Sequence, residues 1–302
     1  MFKDTNSGRL LRKNIFIVIA SILVLIYILA PIFWIVSTSF QRESALEDRP
    51  PHLLPTASIF TLSHYKYIFT GVVSPDASVM IQSQYTMAGT LVFPGILNSL
   101  IVSICVTLIN ILIGFPAGHV FARYRFLGDK KVFLTMMATR LLPSIALVIP
   151  MFILLRALGL YDTKVSLICI YSAITVPFTA WIMRAYFANI PVEYEEAARL
   201  DGCGYIRSLV KVVIPLARPG IIAASIFAFM SSYEEFVFAT ILTHTMNSKT
   251  QSVVLAEVAG GLSVSHGMVA AAATLSFLPP VLIAIIFRKQ VLDGLTARLG
   301  LS

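Results

Sequence analysis

The chain alternates between long apolar segments and shorter polar ones. Six runs of about 20 residues or more carry few charges, and each is long enough to cross the roughly 30 Å hydrocarbon core of a bilayer as a helix. The runs cover approximately residues 15–37, 96–122, 132–155, 165–186, 219–242 and 268–287. A helix satisfies its own backbone hydrogen bonds, which lipid cannot do. The pattern therefore predicts an all-α integral membrane protein with six transmembrane helices.

The first apolar run is predicted to remain in the protein. It is longer than the apolar core of about 7–15 residues found in cleaved signal peptides, so residues 15–37 are interpreted as a membrane anchor.

One polar segment, residues 190–218, carries the signals of a helix. Pro191 suits a first helical position because its missing N–H removes no hydrogen bond there. Three glutamates follow in the first turns, where negative charge meets the positive end of the helix dipole. Gly202 then stands where a left-handed C-cap is expected. The segment predicts a short, solvent-facing helix of about three turns.

The basic residues predict the orientation of the helices. Sixteen of the 23 Lys and Arg residues fall on one side of the predicted bundle and six on the other, with Arg140 inside a helix. The basic side holds both termini and the segment 190–218. Because positively charged loops stay in the cytoplasm, both termini are expected to be cytoplasmic.

Composition excludes several other classes of protein. The chain is 57% hydrophobic and 13% charged, with mean hydropathy +0.84, which is too apolar for an ordinary soluble domain. Its net charge of +8 is spread over short clusters between apolar runs, so the lipid bilayer is the expected partner and nucleic acid is not. The sequence contains no phosphate-binding loop of the G-x-x-x-x-G-K-[ST] type and no metal-ligand spacing, so neither nucleotide hydrolysis nor a metal site is predicted.

The segment 190–218 resembles the EAA signature of ABC importer permeases. That signature is Glu-Ala-Ala, three residues, Gly, nine residues and then Ile-x-Leu-Pro; Glu196-Ala197-Ala198 and Gly202 match it here. Val212 and Ile214 replace its Ile and Leu, and Pro215 is in place.

Further motifs resemble the carbohydrate-uptake branch of these permeases, in particular the maltose-type sugar permease of the six-helix kind. They occupy residues 98–99, 122–128, 149–152, 158–163, 219–220, 267 and 294–296.

This resemblance implies a location in a bacterial inner (plasma) membrane, a fold and a set of partners. It implies a type I ABC importer permease fold, in which a five-helix core covers residues 94–288 and the N-terminal helix packs on a second, different permease subunit. A periplasmic substrate-binding protein would deliver a sugar or sugar derivative. Two copies of a nucleotide-binding ATPase would hold ATP and Mg, and this chain would bind no cofactor and would not itself be an enzyme.

The same resemblance implies a role for the segment 190–218. Its helix would be a coupling helix that docks in a cleft of the ATPase, with Glu195 and Glu196 meeting basic groups there. The two alanines would allow close approach, and Gly202 would turn the chain into a second short helix. The residues expected to couple the permease to the ATPase are Glu195, Glu196, Ala197, Ala198, Asp201, Gly202 and Pro215.

These expectations divide the chain into five parts. They are a cytoplasmic N-terminus (1–14), an N-terminal transmembrane helix (15–37), a periplasmic loop (38–93), the permease core (94–288, including 190–218) and a cytoplasmic C-terminal tail (289–302).

Ionisable residues inside apolar runs are the candidates for the substrate path, because an unpaired charge in lipid is costly. Arg140 is expected about 13 Å into the third helix at 1.5 Å per residue. In the fifth run the chain has Tyr233-Glu234-Glu235-Phe236 where the family often has Trp-Asn-Glu-Phe, so one carboxylate is additional. Two hypotheses stay open: these groups line the substrate path, or Arg140 pairs with one of the glutamates and locks the helices together.

Two other functions compete with an importer subunit. An ion-coupled secondary transporter could use Glu234 and Glu235 as a proton or ion relay, although such transporters often show internal repeats, which are not evident here. A membrane-bound enzyme would need a nucleophile, base or metal constellation, and the sequence contains none that is recognisable.

Overall fold

The computed structural model describes residues 5–73, 87–260 and 264–289. Within these ranges the secondary structure is helical, apart from an isolated β-bridge between Gln41 and Phe60. The motif at residues 294–296 and nearly all of the predicted C-terminal tail lie outside the described residues.

The helices are numbered here in chain order. They are α1 (Thr5–Ser39), α2 (Glu43–Leu46), α3 (Ser63–Thr70), α4 (Val92–Ile109), α5 (Phe115–Arg123), α6 (Asp129–Ala138), α7 (Ser144–Ala157), α8 (Lys164–Ala188), α9 (Glu193–Leu200), α10 (Tyr205–Ser208), α11 (Ile214–Tyr233), α12 (Val237–Leu242), α13 (Gln251–Ala259) and α14 (His266–Ile286). Two π-helical turns, Asn110–Gly114 and Leu209–Val213, join α4 to α5 and α10 to α11.

The described residues contain five continuous helical stretches long and apolar enough to cross a membrane, and up to six spans if one bent pair is included. The continuous stretches are Lys13–Ser39, Gly89–Arg123, Lys164–Ala188, Tyr205–Tyr233 and His266–Ile286. The apolar part of α1 is exposed along its length, as expected of a helix that faces lipid or another protein. The helix begins at Thr5, so it includes most of the segment predicted as a separate polar N-terminus.

The third predicted span is broken at Pro143. The other proline that interrupts this apolar run in the sequence, Pro150, lies inside α7. Helix α6 and the short 3₁₀ turn that follows it end at Leu141, and α7 leaves this point at an angle of 98°. Leu142 and Pro143 are both extended, with ψ values of 126° and 128°. The break follows from Pro143, because a proline pushes the preceding residue out of helical geometry.

The fifth predicted span has different limits from those expected. Its helical stretch begins at Tyr205, well before the predicted start, and α11 ends at Tyr233. A separate short helix, α12, starts at Val237. The residues between the two helices therefore form a second interruption inside a predicted transmembrane run.

Contacts divide the chain into two compact units. One comprises Met1–Thr90 and Glu257–Leu275, and the other comprises Leu91–Ala256 and Ser276–Ser302. Part of the range expected to form the core, Glu257–Leu275, clusters with the first unit, and the division into five parts stays a prediction.

In the first unit, a buried carboxylate caps the start of α14. Glu43 accepts hydrogen bonds from the backbone N–H groups of His266 (2.7 Å) and Gly267 (3.1 Å) and from the Ser265 hydroxyl (2.8 Å). These bonds satisfy backbone donors that a helix start leaves unpaired. The ring of His64 is buried close to Gly267, and this burial lowers the pKa of His64.

In the second unit, α8 lies at the centre and packs against α4, α5 and α11. Helices α5 and α8 approach each other closely, because a Cβ atom added at Gly118 of α5 would lie 2.5 Å from the Cβ of Met183 of α8. A buried polar cluster also joins the helices, because Asn110 donates to the Thr175 hydroxyl (2.7 Å) and accepts from the Thr179 hydroxyl (2.8 Å). Helix α8 is thus the scaffold on which the neighbouring elements are positioned.

Candidate functional site

The predicted coupling segment forms a helix, but a shorter one than expected. Helix α9 has eight residues, about two turns at 3.6 residues per turn, and begins at Glu193. Pro191 therefore lies two residues before the helix and not at its first position. The three glutamates do occupy the first turn, as predicted.

The side chain of Glu195 holds α9 against the end of α5. Its carboxylate accepts a hydrogen bond from Nε of Arg123 at 2.7 Å, and the two side chains are only 7% and 12% exposed. Arg123 also donates to the carbonyl of Ile190 at 2.8 Å. One guanidinium therefore fixes both the helix and the residue that leads into it.

A histidine extends this contact to the next helix. His119 is buried, and its Nε2 lies 3.3 Å from a Glu195 carboxylate oxygen. Its Nδ1 lies 3.1 Å from the Tyr205 hydroxyl. A neutral ring protonated on Nε2 satisfies both partners, since it then donates to the carboxylate and accepts from the phenol. We call Arg123, Glu195, His119 and Tyr205 the anchor cluster.

The opposite side of α9 is open. Glu196, Ala197 and Leu200 are exposed, with Leu200 at 89%. Ile206 in α10 is exposed at 74%. Leu200 lies outside the helical stretches that could cross a membrane, so an apolar side chain this accessible is available for a protein contact. The anchor cluster thus leaves the outer face of α9 for another surface.

Gly202 ends α9 in the predicted way. Its φ is +81°, in the left-handed region that favours glycine. The N–H of Gly202 bonds to the Arg199 carbonyl and that of Cys203 to the Ala198 carbonyl, both at 3.0 Å. These two bonds form a Schellman motif, which reverses the chain into α10. Asp201 is the C-cap residue.

Pro215 lies in the first turn of α11, after the π-helical turn Leu209–Val213. Because Tyr205–Tyr233 is one helical stretch, Pro215 leaves a carbonyl of the preceding turn without its helical N–H partner, at the point where the π-helical turn already makes the hydrogen bonding irregular. Its role is thus to shape the connection from α10 into the transmembrane helix.

The structure corrects the role expected of Glu195. The prediction was that both Glu195 and Glu196 meet basic groups of another subunit. Since the carboxylate of Glu195 is buried against Arg123 and His119 of its own chain, only Glu196 of this pair is presented outward.

The structure also moves Arg140 out of a continuous helix. It lies in the 3₁₀ turn at the break between α6 and α7, is exposed, and donates to the Ile174 carbonyl of α8 at 2.9 Å. Its guanidinium carbon lies 5.1 Å from the ring centre of Phe178 and 5.8 Å from that of Phe227. Among the described residues Arg140 pairs with no carboxylate, so the hypothesis of an ion pair with Glu234 or Glu235 is wrong within this chain.

The two glutamates have different surroundings. Glu235 accepts from the Tyr171 hydroxyl (2.7 Å) and from the N–H groups of Phe238 (3.0 Å) and Ala239 (3.2 Å), so it caps the start of α12. Glu234 is exposed at the end of α11. A carboxylate committed to a helix start is poorly suited to carry ions, which weakens the hypothesis of a relay through both residues.

Tyr233 is not an open surface residue. It is buried, its hydroxyl donates to the Ser276 carbonyl at 3.2 Å, and its ring stacks on Phe229. Of the four predicted substrate-path residues, Arg140 and Glu234 are the exposed ones.

An additional polar centre lies in the loop before α8. Asp162 has a positive φ of 57° and accepts hydrogen bonds from the backbone of His244 and Thr245 and from the Thr245 and Ser248 hydroxyls. Burial alone would raise the pKa of Asp162, but these hydrogen bonds outweigh it and hold that pKa well below its usual range. The carboxylate ties this loop to residues 243–248.

Sequence reasoning missed the anchor cluster and the Asp162 contacts. In the sequence Arg123 is only one of the basic residues that indicate topology and part of the motif at residues 122–128, and His119 and Tyr205 belong to no local pattern. No group of three or more His, Cys, Asp or Glu that could hold a metal ion occurs in the part of the chain that the structure describes.

Residues 110–295, more than half of the sequence, match the family described as "Binding-protein-dependent transport system inner membrane component". The chain belongs to this family. The predicted membership of the ABC importer permeases is thereby confirmed, as is a multi-pass membrane protein; the side on which the termini lie stays a prediction.

Similar proteins cover almost the whole length of this permease. The trehalose transport system permease protein of Mycobacterium tuberculosis (strain CDC 1551 / Oshkosh) is 30% identical over 95% of this chain and 97% of its own. The trehalose/maltose transport system permease protein of Thermococcus litoralis is 30% identical over 94% and 96%.

A solved structure shares the fold. The chain resembles that of a bacterial ABC transporter involved in the import of the acidic polysaccharide alginate, with a TM-score of 0.64, 24% identity and coverage of 92% of this chain and 97% of the other. The predicted ABC importer permease fold is therefore confirmed.

Proposed function

We propose that this permease conducts a sugar or sugar derivative through an ATP-driven importer and that α9 is its coupling helix. The observation that carries the proposal is the anchor cluster. It binds one side of α9 rigidly to the end of a transmembrane segment and leaves Glu196, Ala197 and Leu200 exposed on the other side. A rigid connection of this kind can transmit a movement of a docked ATPase to the membrane helices as a rigid-body rotation.

The partners follow from the family. A binding-protein-dependent importer needs a periplasmic protein that delivers the substrate and two ATPase subunits, which hold ATP and Mg. A second, different permease subunit completes the path, and the exposed apolar α1 is suited to pack on it. With the basic residues on the cytoplasmic side, α9 faces the ATPase and both termini are cytoplasmic.

The substrate class rests on the relatives. Those described above are named for trehalose and maltose transport, and a further relative from Agrobacterium fabrum (strain C58 / ATCC 33970), 29% identical over 92% of this chain, is named for sulfoquinovosyl glycerol. A sugar or sugar derivative is therefore the proposed cargo. Family membership, together with the use of Glu235 as a helix cap, favours this function over an ion-coupled transporter.

Two substitutions in the segment test the coupling role. Glu196→Lys reverses an exposed charge on the docking face, and Gly202→Asp places a side chain at a positive φ that ends α9. Both variants are expected to enter the membrane normally but to lose substrate-stimulated ATP hydrolysis and sugar uptake in proteoliposomes.

Asp48→Lys is the matched control, since it reverses an exposed acid in the loop before α3 and should leave uptake unchanged. Wild-type uptake and ATPase stimulation in both Glu196→Lys and Gly202→Asp would refute the coupling role.

A further inference from the structure

Arg140 is the starting point for a substrate site in the middle of the membrane. The guanidinium is exposed at the break between α6 and α7, and its hydrogen bond within the described residues goes to the Ile174 carbonyl. It has no carboxylate partner among those residues. A membrane arginine without a counter-ion is costly, so an anion is expected to meet it.

The depth of Arg140 excludes lipid headgroups as that anion. Helix α8 runs from Lys164 to Ala188, and Ile174 lies ten residues, about 15 Å, from its start and about 21 Å from its end. The contact is thus within a few ångströms of the middle of α8. In a hydrocarbon core about 30 Å thick, headgroup phosphates are too far away.

The backbone near Arg140 is open in a way that lipid does not tolerate. Residues 141–146 are exposed and include the extended pair at the break. Irregular backbone at membrane depth occurs where it lines an aqueous cavity or is covered by protein. Helix α7 also begins here, and the positive end of its dipole favours an anion.

A second helix break lies at nearly the same depth. Glu235 contacts Tyr171 of α8, three residues before Ile174, which is about 4.5 Å along the helix axis. Glu234, exposed at the end of α11, belongs to this break. Two interrupted helices therefore meet α8 at one level, as helices do around mid-membrane substrate sites.

Aromatic rings and a carbonyl complete the surroundings of Arg140. Phe178 lies 4.2 Å from Phe227 and 5.2 Å from Trp181, measured between ring centres, and Trp181 is exposed. Such faces suit the apolar side of a sugar ring. In an uninterrupted helix the N–H of residue 177 would bond to the carbonyl of Ala173. Pro177 has no N–H, so the carbonyl of the exposed residue Ala173 can accept a hydrogen bond from a sugar hydroxyl.

We infer that Arg140, beside the Phe178 and Trp181 rings, binds the anionic group of an acidic sugar, carried by a carboxylate or a sulfonate. The inference rests on the proposed function and narrows its substrate class. The guanidinium is suited to bidentate binding of such a group, while the rings contact the sugar. Glu234, of the same charge as the substrate, is expected to contact its hydroxyls and not its anion.

Binding can be measured without transport, through the fluorescence of Trp181. The purified full-length permease with Trp34→Phe retains Trp181 as its tryptophan, because the sequence has only these two. The probes are a glucuronate-containing disaccharide, sulfoquinovose and the neutral disaccharide maltose. A saturable change in fluorescence is expected with the two acidic probes, and a much weaker one with maltose.

The variants separate charge from packing. Arg140→Gln is expected to weaken binding of the acidic probes about tenfold or more, the range for one hydrogen bond to a charged group, and to leave the maltose response unchanged. Arg140→Lys should retain part of the affinity. Arg156→Gln is the matched control, since Arg156 also lies over a phenylalanine, at 5.9 Å from Phe152, but at the other end of α7.

The outcomes distinguish this inference from the proposed function. If maltose and the acidic probes bind equally, if no probe changes the fluorescence, or if Arg140→Gln weakens all probes alike, Arg140 is not an anion site. The last result would assign the Arg140 side chain to packing. The proposed function fails by a different observation: the permease copurifies with no ATPase and moves no sugar in proteoliposomes, whatever the fluorescence shows.

Discussion

Breaking the Arg123–Glu195 pair is expected to release α9 and α10 from the end of α5. The perturbation is Glu195→Gln, which keeps the shape of the side chain and removes its charge. Arg123 would then lie in its largely buried position without its anion. His119 would lose the same charged partner.

The magnitude follows from burial. Removing one partner of a buried ion pair costs about 3–5 kcal/mol, mainly because the other charge stays buried and unpaired. Since glutamine still offers a hydrogen-bond acceptor to Arg123, the lower end, about 3 kcal/mol, is expected. At about 1.4 kcal/mol per factor of ten, the local opening of α9 should rise roughly a hundredfold.

Hydrogen exchange measures this opening directly. The backbone N–H groups of residues 201–203 are suitable reporters because each bonds to a carbonyl of α9. Their exchange in the purified permease should be roughly a hundredfold faster in Glu195→Gln. The double variant Arg123→Gln with Glu195→Gln should be closer to wild type than either single variant, since it leaves no buried charge unpaired.

A surface pair gives the matched control. Arg125 pairs with Asp129 at 3.4 Å and is 76% exposed. Arg125→Gln should change the free energy of local opening, measured by hydrogen exchange at residues 201–203, by about 1 kcal/mol at most. Wild-type exchange in Glu195→Gln, or a double variant whose effect equals the sum of the two single effects, would refute the proposed anchoring of α9.

Two further predictions concern the loops and the packing of the second unit. Asp162→Asn removes the charge that accepts hydrogen bonds from residues 243–248, which should lower the free energy of local opening of these residues by about 1.5–3 kcal/mol and so speed their hydrogen exchange. In the wild type, burial is outweighed by hydrogen bonds that depress the pKa of Asp162, so this protection should be complete above about pH 4 and fall progressively below it; a similar pH dependence in Asp162→Asn would contradict this. Gly220→Ala should lower thermal stability by about 1–3 kcal/mol, because its Cβ would lie 2.4 Å from the Tyr186 ring. Gly204→Ala is the control: a Cβ atom added there has no atom within 4 Å, so thermal stability should not fall. Equal unfolding midpoints in the two variants would refute the packing argument.

The sequence was sufficient to predict the class of fold. Apolar runs of membrane length identify spans wherever they occur, because lipid imposes one strong condition on the backbone. The left-handed end of α9 was also predictable, since a glycine after an amphipathic stretch is a local signal, and Gly202 has the expected φ.

The sequence indicates one of the two interruptions, because Pro143 stands inside the third apolar run, but it indicates neither the 98° angle there nor the interruption between Tyr233 and Val237. Proline in a membrane helix often produces only a kink, because neighbouring groups satisfy the freed carbonyl. Pro150 and Pro177 do lie inside helices, whereas Pro143 ends one, and hydropathy does not distinguish these cases. The limits of the fifth span were wrong for a related reason: its polar first turns were assigned to the cytoplasmic loop.

The partners of charged residues were the least predictable feature. Glu195 looks like its neighbour Glu196 in the sequence, yet it faces Arg123, 72 positions away, while Glu196 faces outward. Arg140 and Glu235 fall in the third and fifth apolar runs and are natural candidates for a pair, but each has other contacts. The partner of each charged residue depends on how its helix is rotated about its axis against α8, and the periodicity of apolar residues in the sequence does not specify that rotation.

The central claim is that the exposed face of α9 docks on an ATPase in the cytoplasm. The most direct test is site-specific crosslinking of Leu200→Cys, in a background where the three native cysteines are replaced, within the complex that copurifies with the permease. We predict a crosslink to the ATPase from position 200 and none from Leu158→Cys, which is exposed in the loop before α8. A complex that contains the ATPase but gives no crosslink from position 200, or a cysteine there that reacts with an impermeant reagent from outside the cell, would contradict the account.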